Sequence, residues 1–441
     1  MTSCAQRASS GLSIQNLRAY TTRFGRSYWV FFCAAFCMDL GFGLFIFLFN
    51  LYLTNLHFDE RILGRIMACF TLGNVAGTIP GMVAAQRYGL RRLLLLSFCL
   101  TPILSVLRIF ILQPQAQFAL AFFSGSALCA WPICFAPIIT QVTREDNRAA
   151  GFSLAFAAGI GLGSLAGITG GCVPGLLHSS VPHLSLINGI RGVLLLACAA
   201  VGLGVVPLSL LRLEDRAAVQ PRRARIAPPF LFRFLPAFVL WSVVTGSFPL
   251  FGAVYLQKAL GIPLGRLGAV FAGSQLAQFT AVLCAPILLK RLGTANGIAS
   301  AQLTTGFFLV LIAVARFVPA AVCFYLLYFA AQFMCGPGIY QMLMEHVPEQ
   351  ERSTASALQN LSGALCQAGT VAITGACIVT HGYRAVLIGD ACIAAAAAAL
   401  FVLLGLRTQD SEGELSTCDR RAATLLALSQ GADLSAQKAG K

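Results

Sequence analysis

Long apolar runs dominate the chain, separated by short polar clusters, and they show no strand-like alternation. A helix needs about 20 mostly apolar residues to cross a bilayer. On that measure twelve spans are expected. They lie at 28–53, 63–85, 92–112, 117–140, 149–172 and 188–211, then at 234–256, 265–289, 295–315, 319–343, 354–379 and 384–406. Most connections are too short to hold a soluble domain. The longer polar stretches are a basic N-terminal segment at 1–27, a basic linker at 212–233 and a tail at 407–441, expected to be disordered or a marginal surface helix. The pattern predicts an all-α polytopic membrane protein with two six-helix halves, 28–211 and 234–406.

Composition narrows the class. Of 441 residues, 57% are hydrophobic and 11% charged, with mean hydropathy +0.78. Soluble proteins carry about 25% charged residues, and disorder needs low hydrophobicity, so both are excluded. A net charge of +15 would suggest nucleic acid in a soluble chain, but here the basic residues are scattered between apolar runs and form no compact patch. If both termini are cytoplasmic, 23 of the 31 Lys and Arg residues lie on or border that side. That bias orients the chain with both termini inside, in a plasma or bacterial inner membrane. The sixteen cysteines lie almost entirely within apolar runs and form no CxxC pair, so neither a metal nor a cofactor is expected.

The two halves repeat. YLTNLHFDERILGR after the first span has a counterpart in YLQKALGIPLGR after the seventh. Arg87 and Arg291, Gly89 and Gly293, and Arg148 and Arg352 are each 204 positions apart, and Tyr52 and Tyr255 are 203 apart. Such a fixed offset marks a duplicated unit.

The segment PGMVAAQRYGLRR, from Pro80, resembles the signature G-x-L-A-D-R-x-G-R-R of the major facilitator superfamily, and the resemblance extends over about residues 25–406. Arg87, Gly89 and Arg91 are in register. Met82 stands at the usual glycine, Gln86 replaces the aspartate, and the closing basic pair is shifted so that Arg92 follows Arg91. The resemblance implies two pseudo-symmetric six-helix bundles. It also implies a gating role for Gln86, Arg87, Gly89, Arg91, Arg92, Arg291 and Gly293. In that fold spans two and five meet spans eleven and eight. Gly73, Gly77 and Gly81 on span two, and Gly159, Gly163, Gly167 and Gly171 on span five, recur every four residues. They are therefore expected to form smooth inter-bundle faces, with static packing as the plainer reading. No motif of a particular substrate family is present.

Polar residues within the spans are the candidate site. Asp39 lies about 16 Å into span one, where a charge should face protein or water. It reads either as a substrate or proton contact or as a buried cap near Gly41 and Gly43. Asn50 lies close to the same helical face. Gln275 and Gln278 share a side of span eight, and Gln359, Asn360 and Gln367 belong to a polar stripe on span eleven. Gln332, Trp131 and Trp241 complete the expected cavity. Asp390 is expected to pair structurally, and Arg108 and Arg191 to snorkel at span ends.

These features point to a secondary transporter of a small polar or amphipathic solute, working by alternating access. Its energy would come from a gradient, with protons through Asp39 as one route. Facilitated diffusion and drug or metabolite efflux are the alternatives. A receptor or sensor on a transporter scaffold and an intramembrane lipid-modifying enzyme are the competing classes. The five histidines near span ends and the absence of clustered acids argue against the enzyme. The expected partners are lipid and solute, without nucleic acid, for a chain acting as a monomer.

Overall fold

The computed structural model describes residues 24–144, 147–180, 185–213, 229–348 and 351–439. The segment 1–23 and most of the basic linker, 214–228, lie outside the described residues.

In chain order the first half contains α1 (Arg26–Asn55), α2 (Glu60–Tyr88), α3 (Leu90–Phe110), α4 (Pro114–Val142), α5 (Arg148–Ser180) and α6 (Leu186–Leu210). The second contains α7 (Phe230–Lys258), α8 (Leu264–Leu292), α9 (Thr294–Val314) and α10 (Val318–His346). After α10 comes one helical stretch, Arg352–Ala439. It is broken at Gly382, whose φ of 77° and ψ of 169° suit glycine alone. The break separates α11 (352–381) from α12 (383–439). By length and apolarity, eleven helices among the described residues can cross a membrane, and the eleventh is a 52-residue stretch that this glycine divides. Twelve spans result.

Several helices are interrupted where the sequence removes backbone bonds. α4 breaks at Cys129, just before Trp131-Pro132, and α7 breaks at Ser247, just before Pro249. α10 continues as a helix through Gly336-Pro337-Gly338. Caps set two starts: the Asp59 carboxylate accepts from Ile62 N–H at 2.8 Å, and the Ser185 hydroxyl from Asn188 N–H at 3.3 Å.

The repeat is visible in contacts. The Tyr52 hydroxyl donates to the Ile109 carbonyl at 3.0 Å, and the Tyr255 hydroxyl to the Ile312 carbonyl at 3.4 Å. Gly89 and Gly293 end α2 and α8 at φ 85° and 80°.

The bundles meet along two glycine seams, α2 against α11 and α5 against α8. A β-carbon on Gly375 would lie 3.2 Å from the Gly64 Cα, and one on Gly171 would lie 2.8 Å from the Gly268 Cα. Gly64 and Gly268 are 204 apart, as are Gly171 and Gly375, so the seams are copies of each other. The expected glycine faces need two corrections. Gly163, Gly167 and Gly171 do face α8, but Gly159 faces Asp39 on α1. Gly73, Gly77 and Gly81 pack on α4 of their own bundle, against Phe122, Ser126, Cys129 and Ile133. A spacing of four defines a helix face without saying which neighbour it meets. On α2 the inter-bundle position is Gly64, one turn from the helix start.

Candidate functional site

Between the bundles lies a cavity of about 540 Å³. α7, α8, α10 and α11 supply most of its wall and α1 the rest, because the second bundle concentrates its polar side chains on inward faces. Asn50, Trp241, Gln275, Gln278, Gln332, Gln359 and Gln367 all line it, as the sequence predicts. The cavity also contains residues that the polar pattern does not single out: Phe47, Phe238, Phe271, Tyr325, Phe329, Phe333 and Tyr340. In a chain with 33 phenylalanines, an aromatic residue carries no positional signal of its own.

The amides differ in how far they are satisfied. Gln278 donates to Gln275 at 3.1 Å, and Gln367 donates to the Thr245 hydroxyl at 3.2 Å. The side-chain oxygens of Asn50, Gln332 and Gln359 are buried without a partner. A buried amide oxygen without a partner costs roughly 1–3 kcal/mol, and all three oxygens belong to residues of the cavity wall. Phe47 and Phe271 meet across the bundles with ring centroids 4.9 Å apart and form part of the wall.

One end of the cavity is latched. Lys258 at the end of α7 donates to Glu60 Oε1 at 2.9 Å, and the Tyr383 hydroxyl at the start of α12 donates to the same oxygen at 3.0 Å. Glu60 belongs to the first bundle and both donors to the second. The glycine seams and the Ser164 hydroxyl, which bonds to the Ile160 carbonyl of its own helix at 3.2 Å and stands 3.5 Å from the Ala272 carbonyl of α8, lie in the same half of the molecule. At the opposite end, Gln86, Arg87, Arg92 and Arg291 are exposed, and among the described residues they make no hydrogen bond or ion pair. Arg91 instead donates to the Ser209 carbonyl of its own bundle. The bundles are therefore bonded to each other at the α1–α2 end, and among the described residues the signature segment adds no bond between them at the other.

The sequence pattern of the Major Facilitator Superfamily matches residues 31–370. The chain belongs to this superfamily. A search of curated protein sequences finds no match. Among solved structures, a mutant form of the nucleoside transporter NupG aligns with TM-score 0.72 and 13% identity, covering 86% of this chain and 100% of NupG. A bacterial homologue of the human lysosomal transporter Spinster, inward-facing and unoccupied, aligns with TM-score 0.69 and 15% identity, covering 86% and 96%. The xylose transporter XylE from E. coli, in an inward open conformation, aligns with TM-score 0.66 and 14% identity, covering 84% and 94%. Membership of this superfamily makes the chain a multi-pass membrane transporter and not an enzyme, and these neighbours share its fold.

Within this superfamily member, three expected cavity residues stand elsewhere. Trp131 packs in the first bundle with Phe31, Phe98 and Phe135, at ring-centroid distances of 6.1, 5.9 and 5.4 Å. Asn360 is exposed and does not line the cavity, because it is turned about 100° from Gln359 around α11. Asp39 is half-buried on α1 outside the cavity wall, where a β-carbon on Gly159 would lie 3.1 Å from its Oδ2.

The remaining charged residues within the spans divide by environment. Asp390, 4% exposed, is buried in the second bundle, and its Oδ2 has no hydrogen-bond partner among the described residues. Ser247, at the α7 break, shares a hydrogen bond of 2.9 Å with Thr374 on α11. Arg191 is half-buried and donates to the Tyr52 hydroxyl at 2.7 Å. Arg108 does not snorkel. It is 2% exposed, inside the first bundle.

Proposed function

We propose that this chain is a secondary transporter that moves a small, uncharged, hydrogen-bonding solute by alternating access. The observation that carries this reading is the chemistry of the cavity wall. Among the described residues, no Asp, Glu, Lys, Arg or His lines it, while five glutamines, one asparagine and several aromatic rings do. A charged solute would lose its hydration there without gaining a counter-charge. A neutral solute with several hydroxyl or amide groups gains hydrogen bonds of about 1 kcal/mol each, and its apolar face gains the rings. A volume of about 540 Å³ suits a solute of one or two rings. Two structural neighbours, a nucleoside transporter and a xylose transporter, are named for neutral polar solutes.

With both termini cytoplasmic, the latched end faces outward and the cavity opens toward the cytoplasm. Rocking that parts the glycine seams would reverse this. Asp39 would serve as the proton carrier if the cycle is gradient-driven, since it is an acid within α1 with no hydrogen-bond partner among the described residues.

The test is counterflow into proteoliposomes loaded with pentoses, nucleosides, organic anions or organic cations, with and without a pH gradient. The expected result is exchange of a neutral solute only, with an accumulation under a pH gradient that Asp39→Asn abolishes. Exchange confined to charged solutes contradicts the substrate reading. Gradient-driven accumulation undiminished in Asp39→Asn contradicts the proton route alone.

A further inference from the structure

We propose that the first bundle contains a binding site for a small monovalent anion of chloride size, separate from the solute cavity and centred on Arg108. A small cavity of about 20 Å³ lies among α1, α2, α3, α4 and α6, and Thr101, Ser105, Arg108 and Ser124 are the polar residues of a wall that is otherwise mostly apolar. The first three recur at intervals of four and three residues, which puts them on one face of α3. All four are buried, at 5%, 7%, 2% and 2% exposure in that order.

The electrostatics ask for an occupant. Arg108 has no carboxylate within ion-pair distance among the described residues, and its Nε donates only a long bond, 3.5 Å, to Gln117 Oε1. Gln117 is itself fixed, because its amide nitrogen donates to the Arg108 and Ile111 carbonyls at 2.6 Å each. The Phe49 and Phe45 rings lie 4.3 and 5.7 Å from the guanidinium carbon. Such contacts stabilise a cation in part without neutralising it. An arginine in a protein does not escape by losing its proton.

Three polar atoms around the cavity lack partners: Arg108 Nη2, Thr101 Oγ1 and Ser124 Oγ. One is a guanidinium donor and two are hydroxyls, each with a hydrogen that no protein acceptor takes up. A set of donors with one uncompensated positive charge is the chemistry that holds an anion. A water molecule would satisfy the donors and leave the charge. The volume admits an occupant the size of one atom or one water, so chloride or bromide fits and sulfate, phosphate and carboxylates do not. The second arginine, Arg191, lies on neighbouring α6. It binds Tyr52, whose hydroxyl in turn binds the Ile109 carbonyl next to Arg108, and so adds positive potential on the same side.

The experiment is thermal unfolding of the purified, full-length protein in gluconate buffer, titrated with chloride, bromide or sulfate at constant ionic strength. Chloride and bromide are expected to raise Tm by a few degrees, with saturation, and sulfate to leave it unchanged. Thr101→Val combined with Ser124→Ala should raise the half-saturating halide concentration at least about fivefold, and Arg108→Gln should remove the halide response. Should Arg108→Gln fail to fold, the hydroxyl pair alone decides the matter. A halide-independent Tm, or a halide response unchanged in the Thr101/Ser124 variant, overturns the proposal and leaves a water site.

Discussion

Gly268→Leu is expected to lower transport at least about tenfold while leaving each bundle folded. A β-carbon at Gly268 would lie 2.8 Å from the Gly171 Cα and 3.1 Å from the Gly171 nitrogen, and closer still to the Gly167 carbonyl. These are backbone atoms of the opposite bundle, so no rotamer change relieves the overlap. Overpacking of this kind costs roughly 1–3 kcal/mol even where side chains can adjust. The relief available is separation of the bundles at the latched end, which removes the closed state from the cycle. The contrasting variant is Gly73→Leu. A β-carbon there meets Phe122 of the same bundle, 2.8 Å from its Cα. That change should reduce folded yield and Tm, a loss that precedes any transport defect. Uptake in proteoliposomes together with Tm separates the two. Equal loss of yield in both variants would mean that the Gly268 seam is ordinary packing.

The second large effect concerns the latch. Glu60→Ala removes both bonds across the bundles, to Lys258 and Tyr383. Glu60 is nearly buried, with an 11% exposed side chain, whereas the Lys258 side chain is 37% exposed and its attraction is screened. A combined loss of about 1–2 kcal/mol shifts the balance between latched and unlatched states by roughly 5- to 30-fold. Labelling of a single introduced cysteine near the α1–α2 end should speed up by that factor. The exchange Glu60→Lys with Lys258→Glu should recover part of the latch, whereas either reversal alone places like charges together and should open it further. A labelling rate unchanged in Glu60→Ala sinks the latch.

The fold was largely legible in the sequence because apolar run length and the offset of 204 report global properties. The spans needed only counting, and the duplicated tyrosine and glycine positions reappear as duplicated contacts. Azimuth was harder. Four-residue spacing identified the α5 face that meets α8, but on α2 the same spacing marked the face toward α4. The repeat contained the remedy: Gly171 carried forward 204 positions is Gly375, and Gly268 carried back is Gly64. In the cavity, Gln359 and Gln367 were found because amides are scarce in apolar helices. Asn360, next to Gln359, was grouped with them, although a one-residue step turns it away. Depth alone misplaced Asp39, and a proline neighbour misplaced Trp131, whose rings pack instead on Phe31, Phe98 and Phe135. The Glu60–Lys258 pair could not be read at all. Position 60 maps by the repeat onto Leu264, so nothing in the spacing joins it to Lys258.

The central claim is that transport requires the bundles to separate at the α5–α8 seam. Ser164 and Ala272 meet across it, hydroxyl to carbonyl, at 3.5 Å. Ser164→Cys with Ala272→Cys, in a chain whose sixteen native cysteines are replaced, should be joined by a short bifunctional thiol reagent. Counterflow of the joined protein should cease, and a reducible linker should restore it when cleaved. Undiminished counterflow with the seam fully cross-linked would contradict the rocking account.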